Sequence, residues 1–234
     1  QSSLYLYLVN VIKKKQQNKI IFYLVIYCIK ILDRFKPIII FFVMLSPTLD
    51  NTRVKLSLLD LSNYENLIEV ANQDNLIQYS PNDISTPEKL KAYVQSAVDG
   101  YYHKTIIPFI IYDKKNKAYA GSTRFGLINW HNKVLHIGWT WIGKQFQGTG
   151  LNTNMKFLML QYAFETLEFD KVEFRIDERN MPSRKAVEKL NAKLEGILRK
   201  DTVMLDGFKR STCCYGILKE EWPSLKEKLL NKIK

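Results

Sequence analysis

The chain has 234 residues, 46% hydrophobic and 25% charged, with a formal net charge of +12 at pH 7. This fits one globular domain with an extension. The charge is split, +6 in residues 1–43 and +6 spread among the rest; it suits an anionic ligand and would also permit weak RNA contact, but with no arginine-rich tract or nucleic-acid motif no specific nucleic-acid partner is expected.

Residues 1–43 differ in kind from the rest of the chain. They contain no Gly, Ala, Glu, Thr, Trp or His and carry six Lys and one Arg against Asp33 alone. Two apolar stretches, 20–29 and 38–45, are each too short to span a bilayer as a helix. Three readings stand side by side: a membrane-associating arm, a helical appendage on the domain, and upstream translated sequence with Met44 as the true start. The residue types are those of A/T-rich codons, which favours the third. The expected division is therefore an extension, 1–43, and a domain, 44–234. A membrane partner is expected only if the extension is genuine.

Within the domain, 53–59 alternates as a strand. Residues 62–72 have helical periodicity, with Ser62 or Asn63 near the cap. Thr86-Pro87-Glu88 opens a second helix whose apolar set is Leu90, Tyr93, Val94 and Ala97. Three strands come next, 105–112, 118–127 and 134–142, joined by polar turns at 113–117 and 129–133. A helix is expected from the glycine turn to about residue 167, then a strand at 171–177 and a short helix at 180–190 with Asn180 near its cap. Asp206-Gly207 marks a hairpin between 193–205 and 208–218, and a helix closes the chain from 221. An antiparallel meander leading into one strand–helix–strand crossover predicts a mixed α/β domain.

That crossover begins at Gln-Phe-Gln-Gly-Thr-Gly-Leu-Asn, residues 145–152. After it, Leu151, Met155, Leu158, Met159 and Tyr162 recur at helical spacing. A helix start presents free amides and the positive end of a dipole, and glycines let a ligand approach the backbone closely. The turn is thus a candidate cradle for a pyrophosphate. Cys28, Cys213 and Cys214 suggest no disulfide framework, and His103, His131 and His136 share no metal-ligand spacing with them, so no metal is expected and a reducing, cytoplasmic setting is the simplest. The alternation of 134–142 turns His136 away from Leu135, Ile137 and Trp139, making it a candidate base. Glu173 and Asp177 share a strand face with Arg175, where ion pairing competes with a base role.

Gln145, Gly148 and Gly150 match the Gln/Arg-x-x-Gly-x-Gly/Ala signature of the GNAT superfamily of acetyl-CoA-dependent N-acetyltransferases, which the chain resembles. Gly121-Ser122-Thr123-Arg124, Ile137-Gly138-Trp139-Thr140-Trp141, Gly150-Leu151-Asn152-Thr153, residues 172–177, 180–186 and 195–199, Asp206-Gly207 and Trp222-Pro223 resemble its Rim-type branch, the ribosomal-protein N-terminal acetyltransferases. The resemblance runs from about residue 45 to 229. It implies a GNAT-like, mostly antiparallel sheet flanked by helices, with the crossover at the cofactor site. It also implies acetyl-CoA as co-substrate, direct attack by a primary amine (a protein N-terminus or a small molecule), and a monomer or homodimer. The cofactor residues would be Trp141, Ile142, Gln145, Gln147, Gly148, Thr149, Gly150, Leu151, Asn152, Asn180 and Arg184, with the alternatives of a plain cap for Asn180 and a surface charge for Arg184. A break in the 134–142 strand would expose an amide to the thioester carbonyl. Asn180, Ser183 and His136 are the catalytic candidates. Trp130, Trp139 and Trp141 could line an acceptor groove between loops 75–86 and 126–133. Where many members of that superfamily place a proton-donating tyrosine, this chain has Val187, so a non-catalytic acyl-CoA-binding module is the alternative to an enzyme; Asn191 replaces a glycine at the helix end, a position an Asn tolerates.

Overall fold

The computed structural model describes residues 47–233; the readings of segment 1–43 lie outside them. An eight-stranded sheet runs in the order β1 (Leu49–Asp50), β2 (Val54–Leu58), β3 (Ile107–Asp113), β4 (Ala118–Asn129), β5 (Val134–Ile142), β6 (Lys171–Asp177), β8 (Lys209–Leu218) and β7 (Lys193–Val203). All neighbours are antiparallel except β5 and β6. Two-residue β1, too short to show a period, is absent from the expected elements.

Helices cover both faces. A one-turn α1 (Ile68–Ala71) and α2 (Pro87–Tyr102) enclose a core with Ile110 and Trp141 from the sheet. Thr86 caps α2 by accepting from the Lys89 amide at 3.3 Å, and Leu90, Tyr93, Val94 and Ala97 are all buried. On the other face α3 (Leu151–Gln161) lies over Thr123 and Phe125, and α5 (Trp222–Ile233) packs Trp222 on Phe157 and Phe164. α4 (Met181–Glu188) comes after β6.

Four boundaries differ from expectation. The 62–72 helix is a 3-10 turn, Tyr64–Leu67, running into α1. Asn63 cannot cap it, because its side chain bonds the Leu58 carbonyl and the Asp60 amide instead. α3 passes into a π turn, Tyr162–Thr166, before residue 167. The hairpin opens wider than the Asp-Gly dipeptide, with Gly207 at φ 81° and Met204 closing the loop onto Phe208. The last helix starts at Trp222, after a 3-10 turn. Among the described residues no helix is long and apolar enough to cross a membrane.

Candidate active site

The parallel pairing of β5 and β6 lasts three residues, Val134 to His136 against Lys171 to Glu173. Beyond it the strands part, and amides of residues 137–142 that would face β6 have no strand opposite them. On its other edge β5 carries a bulge. Ser122 pairs with Trp141 and Arg124 with Gly138, so Trp139 and Thr140 together face Thr123. Trp139 takes the left-handed φ of 48° that a side chain rarely adopts. Its carbonyl accepts from Tyr93 Oη at 3.4 Å, and its ring sits over Arg124 and edge-on to His136. Gly126 makes room for that ring, since a methyl there would meet it. The expected break in the strand is this bulge.

The parting strands open a cleft of roughly 590 Å³ toward the α3 N-terminus. Gly148 and Gly150 stand at φ 73° and 84°, and nothing lies within 4 Å of where a Cβ would be. The turn therefore leaves a bare backbone cradle at a helix start, the geometry an anion requires. Gln147 steadies it by donating to the Ile142 carbonyl at 2.9 Å. Thr149 bonds the Phe146 carbonyl and accepts from Arg53, itself paired with buried Asp113. Asn152 Oδ1 is buried with no partner beside the cradle.

Trp141, Ile142, Gln147, Gly148, Asn152, Asn180, Ser183 and His136 all line this one cleft. Gln145, Thr149, Gly150, Leu151 and Arg184 are not among the residues that line it. Gln145 accepts from Gln73 at 3.0 Å, bracing the turn from outside. The Leu151 side chain is fully buried, leaving only its amide to the cradle. The Arg184 guanidinium is engaged by Tyr215 Oη at 3.0 Å and the Glu178 carbonyl at 3.1 Å, so it is not a free surface charge. Asn180 does cap α4, accepting from the Ser183 amide at 3.1 Å, which leaves its Nδ2 for the cleft. Trp139 lines the cleft with Trp141, whereas Trp130 packs on Phe169 and bonds the Lys104 carbonyl. The left-handed Asn191 after α4, at φ 59°, does what the usual glycine would.

His136 is 5% exposed and its Nδ1 has no partner. Burial, then Lys156, Arg175 and Arg210, push it down to about 3. It is held neutral and takes a proton too reluctantly to act as an efficient base; an acceptor hydrogen bond through Nδ1 suits it better. Glu173 pairs with Lys171 and Arg175, and Asp177 with Arg179, so neither carboxylate is free for that role. Two cleft residues escape sequence reasoning. Arg210 lies in an exposed-looking hairpin, and Lys156 sits inside an apolar stripe, where the misplaced charge was the available signal.

A mostly antiparallel sheet, split at its one parallel pair beside a glycine cradle at a helix start, is the architecture of coenzyme-A-dependent acyltransferases. Residues 53–193 match the family described as "Acetyltransferase (GNAT) domain", and the chain belongs to that family. A Bacillus subtilis protein named "Putative ribosomal N-acetyltransferase YdaF" is 33% identical over 132 residues, 52% of this chain and 71% of that protein, in keeping with the Rim-type branch. A GCN5-related N-acetyltransferase structure from Brucella melitensis superposes with a TM-score of 0.75 at 23% identity, over 81% of this chain and 86% of the other. The Microcin C7 self immunity acetyltransferase MccE, solved with acetyl-CoA and AMP, gives 0.63 at 23% identity, over 72% and 93%. The chain is an N-acetyltransferase, and acetyl-CoA is its co-substrate.

Proposed function

We propose that the enzyme acetylates the N-terminal amine of a protein by direct attack on the thioester. The observation that carries this is the continuity of one cleft from Gly148 in the glycine cradle, along the split between β5 and β6, to Asn180 and Ser183. Acetyl-CoA, when bound, supplies the activated acetyl group. The amides of residues 147–151 hold its diphosphate, and Asn180 Nδ2 orients its pantetheine arm. A β5 amide beyond His136, with no strand opposite it on the β6 side, donates to the thioester carbonyl, where charge develops. The Ser183 hydroxyl donates a hydrogen bond to the departing sulphur.

A protein terminus is favoured over a small amine on two grounds. The 33% identical relative carries a ribosomal N-acetyltransferase name. An α-amine, with a pKa near 8, also loses its proton to solvent near neutrality, matching a cleft whose histidine is a poor base and whose carboxylates are paired. The test is thiol release from acetyl-CoA with peptides bearing free or blocked N-termini, beside polyamines, amino acids and aminoglycosides. Release should depend on the free peptide terminus. Release with small amines alone would overturn the assignment of acceptor.

A further inference from the structure

Among the described residues, Lys156 is a buried cation with no anion paired to it. Its side chain leaves α3, a little under two turns beyond Gly150 and roughly 9 Å along the axis, and ends at the floor of the split. Nζ donates to Thr140 Oγ1 at 3.1 Å and stands 5.6 Å from the centre of the Phe174 ring. Thr140 belongs to the bulge of β5, and Phe174 comes directly after the last residue of β6 that β5 still pairs. The ammonium therefore bridges the strands where they separate, in the wall of the cleft, at 6% exposure.

Among the described residues, the charged and titratable groups around it offer no counter-ion. On β6, Glu173 is taken by Lys171 and Arg175, and Asp177 by Arg179. β5 contributes neutral His136, and β6 and β8 turn two further cations, Arg175 and Arg210, toward that same histidine. From β4 comes Thr123, whose hydroxyl meets that of Thr140 at 2.8 Å. A methionine would fill the same space without the cost of burying charge, so a lysine here calls for a chemical reason.

We propose that Lys156 is the proton donor to the sulphur that leaves the acetyl group. This rests on, and deepens, the acetyl-transfer reading. The acceptor nitrogen bonds the acetyl carbon as the carbon–sulphur bond breaks and its electron pair stays on sulphur. One proton of the Lys156 ammonium passes to that sulphur, leaving a free thiol and a neutral lysine. The acceptor nitrogen releases its surplus proton to solvent, and Lys156 regains one from water. The sum is amine plus thioester giving amide plus thiol. Burial pushes Lys156 down to about 7, below the roughly 8.5 of an ordinary thiol, so the transfer runs downhill while much of the lysine is still protonated at neutral pH. Ser183 can hydrogen-bond the sulphur, but an alcohol is too weak an acid to give up its proton at that pH, and Val187, which also lines the cleft, has none to give.

The test compares Lys156→Met and Lys156→Arg with the unaltered enzyme. Calorimetric affinity for acetyl-CoA should stay within about threefold, while turnover of an N-terminal peptide falls about a hundredfold in Lys156→Met. Arginine keeps the charge but cannot release a proton near neutrality, so Lys156→Arg should not rescue. The unaltered enzyme's turnover should decline above about pH 7, a limb that the residual activity of Lys156→Met lacks. Independently of turnover and of how the variants fold, one lysine Cε resonance in the carbon-13-labelled unaltered enzyme should titrate near pH 7. Unchanged turnover in Lys156→Met, rescue by arginine, or lysines that all titrate near 10.5 would overturn the proposal. An unaltered enzyme that binds no acyl-CoA would overturn the acetyl-transfer reading first.

Discussion

Gly148 and Gly150 hold backbone angles a side chain rarely adopts, yet a Cβ at either would touch nothing. Their service is to leave amides bare. Gly150→Asp should cost only about 1 kcal/mol of stability but place bulk and negative charge in the cradle; acetyl-CoA should give it no thermal shift, and an undiminished shift would move the cofactor elsewhere. Ser183→Ala should lower turnover more than acetyl-CoA affinity, read by comparing kcat with calorimetric Kd. Lys156 gives a pH signature in stability alone. Its folded value of about 7 lies below the 10.5 of a free lysine, so between those pH values the unfolded chain holds more protons and stability rises with pH. The gain from pH 7 to pH 10 should be about 3 kcal/mol larger in the unaltered enzyme than in Lys156→Met, measured by urea titration at both pH values. His136 obeys the same rule lower down: its depressed value costs stability as pH falls from about 6.5 toward 3.

The bulge of β5 is the element on which the proposed chemistry turns. It survives at a non-glycine φ because its neighbours over-determine it: Tyr93 from α2 holds the Trp139 carbonyl, and Arg124, His136 and the space over Gly126 hold its ring. Filling that space should undo it. Gly126→Val is expected to push the Trp139 ring toward the cleft and shift the amide that faces the carbonyl. Turnover should then fall about tenfold or more, with acetyl-CoA affinity changed much less because the cradle lies at the other end of the cleft. A fully active Gly126→Val enzyme would show that the bulge does not position the acyl group.

Across the whole molecule the end of the cleft away from the glycine turn, where the acceptor is proposed to bind, is tied together by residues far apart in the chain. Arg210 on β8 donates to the Tyr79 carbonyl at 2.9 Å, and Arg179 lies against the Phe208 ring and near that of Tyr79. These contacts clasp loop 75–86 to the hairpin. Arg210→Ala should free the loop, at a cost of roughly 1–2 kcal/mol. The KM for the peptide should rise severalfold while the KM for acetyl-CoA holds, and equal changes in both would mean that the loop does not shape the acceptor end. Exposed Leu194, Ile197, Leu198 and Val203 on edge strand β7 lie beyond this clasp and take no part in it.

What the sequence determined by itself was local. The crossover with its glycine turn, the Thr86 and Asn180 caps and the left-handed Asn191 arise from turn chemistry and propensity acting over a few residues. The tertiary structure decided how far β5 and β6 stay together, where the bulge falls, that Arg184 is spent on Tyr215 and Gln145 on Gln73, and that Lys156 points into the split. Each depends on partners from distant parts of the chain, 131 residues away for Arg210 and Tyr79. A periodicity in one segment cannot encode which charge another segment will leave unpaired.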